Sequence, residues 1–215
     1  MAVITISKEH GAGGRVIAQE LARALGYQLA DKAVIIKVAQ QAKVSSERVE
    51  KFDQEEYSPL AKYLSNLFLA NPSMYSVMGF EMPMAGPMPS SFDFFDAEQY
   101  LKFTQAVIEN LHQKGDVVLV GRGSQYLLAG KPGCLHLRLT APPEARIRRV
   151  MEHQEVDEKE AKDRIQKKDK ARAAYIRDFY GRDWADPAHY HLVLNTGLFT
   201  VEQTVGLIRE AVKLV

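Results

Sequence analysis

At 215 residues the chain is long enough for one well-buried domain with a small insert, and short for two. A formal net charge of +1 lacks the basic excess of a domain directed at nucleic acid, and one cysteine excludes an internal disulfide framework. No stretch approaches the roughly 20 apolar residues of a membrane span, and the N-terminus lacks the basic start and long apolar core of a signal peptide. The expectation is a cytoplasmic protein with neither a nucleic-acid nor a membrane partner.

The β-branched run Val3-Ile4-Thr5-Ile6 reads as a buried strand, followed by a polar, glycine-rich loop from Ser7 to Gly14. Val16, Ile17, Leu21 and Leu25 then recur at helical spacing, with Gly26 as the stop. Residues 27–29 read as a short second strand, and Asp31 as the cap of a helix through Ile35, Ile36 and Val38. Further helices are expected over 46–52 and 59–69. The stretch 71–95 is rich in proline and methionine and holds no lysine or arginine, which predicts an irregular insert. A helix over 97–113 leads into Asp116-Val117-Val118-Leu119-Val120, the clearest buried strand, ending at Gly121-Arg122-Gly123. An alternating strand over 135–139, helices over 142–153 and 157–170, a strand over 191–195 and a closing helix over 201–214 complete the chain. Cys134, beside an apolar run, reads as a buried structural thiol.

Strands alternating with helices predict an α/β fold with a mainly parallel sheet covered on both faces. Ligands in such sheets sit at the carboxyl ends of the strands. The loop Ser7-Lys8-Glu9-His10-Gly11-Ala12-Gly13-Gly14-Arg15 lies at one such end and opens a helix. Its glycines allow tight folding with several N–H groups aimed at one point, and the helix N-terminus adds partial positive charge, so the loop reads as a phosphate cradle. A dinucleotide-binding loop is the rival, with Asp31 mimicking its ribose-binding acid. Against it, Lys8, Glu9 and His10 separate the strand from the first glycine.

The pattern Ser7-Lys8-Glu9-x-Gly11-x-Gly13-Gly14-Arg15 resembles the cytidylate-kinase-like family of the P-loop nucleoside-monophosphate kinases. Val120-Gly121-Arg122-Gly123, the segment Asp169-Lys170-Ala171-Arg172-Ala173-Ala174-Tyr175, and Tyr190-His191-Leu192-Val193-Leu194-Asn195 fit the same family in the same order. The resemblance implies one three-layer α/β/α domain over 1–215 with a five-stranded parallel sheet, a helical or irregular insert over 53–100, and a lid over 164–187. It implies ATP and Mg²⁺ as cofactors and a nucleoside monophosphate, CMP or dCMP, as acceptor. A non-catalytic nucleotide-binding module and a kinase for another small acceptor are the rival readings.

The family pattern assigns the donor phosphates to Lys8, Gly11, Ala12, Gly13, Gly14, Arg15 and Val16. It assigns the acceptor to Asp31, Arg122 and Asp169, and closure over the transferring group to Arg15, Lys168 and Arg172. No residue is expected to ligate a metal directly, although Glu9 is a minor candidate. The departures are specific. Against G-x-x-x-x-G-K-[ST], Lys8 stands at the first glycine and Gly14 at the lysine, while Val16 is read at the hydroxyl position. Val120 replaces the acid at the end of the third strand. Lys8 or Arg15 is the candidate to restore the lost positive charge. Seven lysines and arginines against Asp169 and Asp178 over 164–182 concentrate positive charge where a lid would close. Met74, Met78, Met82, Met84 and Met88 in the insert suit a substrate cover or a homodimer contact.

Overall fold

The computed structural model describes residues 2–31 and 97–215. The helices expected over 46–52 and 59–69, the methionine-rich insert and the helix that Asp31 is expected to cap lie outside the described residues. Within them, β1 (Val3–Lys8), α1 (Gly14–Leu25) and β2 (Gln28–Ala30) precede α2 (Ala97–Lys114) and β3 (Val117–Val120). A short α3 (Ser124–Leu127), β4 (Cys134–Thr140), α4 (Pro143–Gln154) and α5 (Glu158–Tyr180) follow. A 3₁₀ turn (Pro187–His189), β5 (Leu192–Asn195) and α6 (Val201–Val212) close the chain. The five strands form one sheet in the order β2-β3-β1-β4-β5, every pairing parallel.

The alternation of side chains along β1 builds the three layers. Ile4 and Ile6 point to one face, where they meet Ile17 and Leu21 of α1 and Val205 and Ile208 of α6. Val3 points to the other, with Val117 and Leu119 of β3, Val107, Ile108 and Leu111 of α2, and Tyr175, Ile176 and Trp184. Leu21 is fully buried, a burial that stabilises by about 2 kcal/mol. Gly26 takes a left-handed φ of 69° and ends α1 as expected, and Cys134 is buried with its thiol pKa raised by that burial.

Three expectations need correction. β1 runs two residues past Ile6, because Ser7 and Lys8 keep the register opposite Arg138 and Leu139, so the loop proper is 9–13. The alternating strand expected over 135–139 is longer and spans Cys134–Thr140. The strand is interior and residues 134–139 are all buried, His136 and Arg138 included. Each polar side chain there finds a partner: His136 Nδ1 shares a 2.9 Å hydrogen bond with Thr5 Oγ1, and Arg138 donates to the Trp184 carbonyl at 2.8 Å. Finally, α5 does not stop at 170. Ala171, Ala173 and Ala174 continue it to Tyr180, where left-handed Gly181 ends it by donating to the Arg177 carbonyl. The expected lid is therefore largely one continuous helix. No helix among the described residues is long and apolar enough to cross a membrane.

Candidate functional site

The carboxyl ends of β1, β2 and β3 open, together with α4, onto a cavity of about 640 Å³. The loop and the start of α1 (Gly11, Gly13, Gly14, Arg15, Val16) form one wall, Asp31, Val120 and Arg122 another, and Arg149, Val150, His153 and Gln154 of α4 a third. Among the described residues the backbone N–H groups of Gly11, Gly13, Gly14, Arg15 and Val16 have no hydrogen-bond acceptor. Donors left unsatisfied at a helix start and facing a cavity suit an anion. Glycine is required at 11: φ is 80°, and a Cβ there would stand 2.7 Å from the Arg146 carbonyl oxygen. Ala12 is buried and does not line the cavity. Its N–H donates to Glu9 O and its carbonyl accepts from Thr196 Oγ1 at 2.8 Å.

A network of alternating charges holds this loop. Arg138 of β4 lies 3.5 Å from Glu9 Oε1, and Arg146 of α4 donates to Glu9 Oε2 at 3.3 Å. Arg146 also donates to the His10 carbonyl at 2.7 Å and pairs with Asp169 of α5. Asp169 accepts from the His10 N–H at 2.8 Å and from Arg172 at 3.1 Å. Both polar groups of the His10 peptide are thus taken by charged side chains from two helices. Arg138 is fixed from its other side by the Trp184 ring, 4.2 Å from the guanidinium carbon. A second tie comes from Arg149, which donates to Thr196 Oγ1 at 3.0 Å, to the Thr196 carbonyl at 2.7 Å and to Gly11 O at 3.4 Å.

On the β3 side, Gly121, Arg122 and Gly123 all have positive φ, 78°, 56° and 69°. Non-glycine Arg122 in that region is strained, and Tyr180 at the end of α5 supports it by donating its hydroxyl to the Arg122 carbonyl at 2.9 Å. The same ring closes over Gly123, where a Cβ would stand 2.2 Å from Tyr180 Cε2. Arg122 is buried yet lines the cavity, with Asp31 on the same wall.

The structure therefore gathers Lys8, Gly11, Gly13, Gly14, Arg15, Val16, Asp31 and Arg122 around one cavity. Lys168, Asp169 and Arg172 do not line it. Asp169 faces the His10 peptide and Arg146, while Arg172 is only 1% exposed behind Asp169, where it cannot reach a group in the cavity as the helix now lies. By strict spacing, Arg15 directly after Gly14 holds the hydroxyl position, one residue before Val16; neither bears a hydroxyl. Sequence alone did not point to Arg146, Arg149 or Thr196. Arg146 and Arg149 were detectable as an i, i+3 pair just past a strand's carboxyl end. No group of three or more His, Cys, Asp or Glu side chains is placed to hold a metal among the described residues.

Comparison with known proteins agrees with this arrangement. Cytidylate kinase of Methanopyrus kandleri is 32% identical over 108 residues, a match that spans 46% of this chain and 56% of that enzyme. An uncharacterised protein of Eubacterium ventriosum superimposes with a TM-score of 0.70 at 19% identity over 99% of both chains. Shikimate kinase of Acinetobacter baumannii, solved with shikimate, gives 0.50 at 14% identity over 100% of this chain and 94% of its own. These neighbours share the three-layer fold of the P-loop kinases. The family profile described as cytidylate kinase-like matches residues 3–198, nearly the whole chain, and the protein belongs to that family.

Proposed function

We propose that the protein is a cytoplasmic ATP-dependent kinase that transfers a phosphoryl group to a nucleoside monophosphate, CMP or dCMP in keeping with its family. The observation that carries this reading is the set of acceptor-less amides of Gly11, Gly13, Gly14, Arg15 and Val16 on a cavity whose opposite wall holds buried Arg122. Phosphoryl transfer needs positioning and neutralisation more than covalent chemistry, and the two walls offer a seat for each phosphate. The loop amides suit the donor phosphates of ATP, and Arg122 suits the acceptor phosphate. Mg²⁺, when bound with the nucleotide, would lower the negative charge of the donor oxygens. Glu9 is engaged by Arg138 and Arg146, so Asp31 is the carboxylate on the cavity assigned to water bound to the ion, or to the acceptor. Lys168 is assigned to neutralising the transferring group as the 164–187 region closes. Asp169 and Arg172 act through the loop they brace. The 53–100 segment is assigned to covering the acceptor or to a homodimer contact.

A second reading is favoured by a particular observation. The loop lacks the usual lysine and hydroxyl, and Val120 replaces an acid, which suits a module that binds a nucleotide without turning it over. ADP release measured against a panel of nucleoside monophosphates, shikimate and sugar acids separates the alternatives. Turnover with CMP or dCMP is the expected result. ATP binding without turnover would establish the second reading, and turnover restricted to a non-nucleotide would move the acceptor assignment.

A further inference from the structure

We infer that Lys8 and Gly14 have exchanged roles: from the end of β1, Lys8 delivers the ammonium that the common phosphate-binding loop carries at the position of Gly14. The inference rests on the nucleotide-binding reading above and names the residue that completes it. Lys8 is the last residue of β1, opposite Leu139 of β4, and its side chain lies beside Gly14 at the start of α1. A Cβ added at Gly14 would stand 2.6 Å from Lys8 Cδ, 2.9 Å from Lys8 Cβ and 3.3 Å from Leu139 Cδ1. Any side chain at 14 would therefore have to displace the lysine stem or the strand beneath it. Gly14 is not among the residues with positive φ, so backbone conformation does not demand a glycine there. What it supplies is room for Lys8.

The two departures from the usual spacing are thus one reciprocal change, with lysine and glycine swapped across a single packing contact. Ammonium chemistry permits such a swap. A lysine head is a compact point charge on a flexible four-carbon stem, so the same charge can be brought to one place from either of two neighbouring Cα positions. A guanidinium, which needs its fork aligned, would not tolerate it as well. Among the other cations on the cavity, Arg122 stands on the opposite wall, Arg149 donates to Thr196 and Gly11 O, and Arg15 leaves the first turn of α1 as an exposed side chain. Lys8 is the one whose stem lies against Gly14, at the start of the helix whose amides would seat the phosphate.

The test is ATP affinity of the full chain, measured calorimetrically beside a thermal melt. Lys8→Met keeps the stem and removes the charge. It should weaken ATP binding roughly tenfold or more, the scale of a lost charge-assisted contact, with the melt unchanged. Lys8→Gly combined with Gly14→Lys restores the common spacing and should regain most of that affinity. The inference is overturned if Lys8→Met binds ATP like the unaltered chain, if Arg15→Ala costs more affinity than Lys8→Met, or if the folded double variant stays as weak as Lys8→Met. Should the double variant not melt cooperatively, the Lys8→Met and Arg15→Ala affinities decide alone. Failure of the unaltered chain to bind ATP would instead refute the nucleotide-binding reading, and this inference with it.

Discussion

Arg146→Ala and Asp169→Ala test the charge network that holds the loop, and the structure ranks them. Arg146 is 11% exposed and touches Glu9, Asp169 and the His10 carbonyl. Its removal leaves each carboxylate with another arginine, Arg138 for Glu9 and Arg172 for Asp169. No carboxylate is stranded, so the cost should be about 2 kcal/mol, that of lost charge-assisted hydrogen bonds. Asp169→Ala differs. It takes away the carboxylate facing the buried Arg172 and Arg146 together and releases the His10 N–H. Removing one partner of a buried charge cluster costs about 3–5 kcal/mol, so this variant should be the less stable by a clear margin. Urea denaturation with a shared slope measures both. If Arg146→Ala proves as costly as Asp169→Ala, or if neither costs more than about 1 kcal/mol, the network does not hold the loop.

Tyr180→Phe keeps the ring over Gly123 and loses the bond to the Arg122 carbonyl. It should cost about 1 kcal/mol in urea denaturation and weaken CMP binding in calorimetry a few-fold, while ATP binding stays unchanged. Equal CMP affinity would detach Tyr180 from the acceptor side. His136 supplies a pH dependence. Burial, then the neighbouring His191, lowers its pKa from 6.5 to about 4. Above pH 6.5 it is neutral in both states and contributes nothing to the pH dependence. As pH falls from there towards 4, the unfolded chain takes up a proton that the folded chain refuses, so stability declines, by at most about 1.4 kcal/mol per pH unit. His136→Gln should flatten that part of the stability–pH profile, and an unchanged slope would show that the imidazole titrates normally when folded.

Much of the fold was legible because period and punctuation agree. The β-branched run from Val3, the helical spacing of Ile17 and Leu21, and Gly26 each announce one element. The glycine loop and Arg122 were legible for the same reason, each standing at the carboxyl end of an apolar strand. Tertiary context hid the rest. Nothing local to His136 or Arg138 says that alternation will be overridden by strands on both sides, because partners such as Thr5 and Trp184 lie far away in sequence. The basic run over 164–182 looks like a lid by its resemblance to the family, while such a run by charge alone is most often a solvated face. Only its packing shows that Asp169 and Arg172 face inward to the loop while Tyr180 reaches Arg122. Arg146 and Arg149 are not marked out by sequence, because an arginine-rich helix most often presents a solvated face.

The central claim is that the amides between β1 and α1 seat a nucleotide's phosphates. Titrating the ¹⁵N-labelled chain with MgATP and following its backbone amide resonances tests this directly. The account predicts that Gly11, Gly13, Gly14, Arg15 and Val16 shift together and saturate with ATP, whereas the N–H groups of Glu9 and His10, already bonded to Leu139 O and Asp169, move far less. Saturable binding in which those five signals stay still would contradict it.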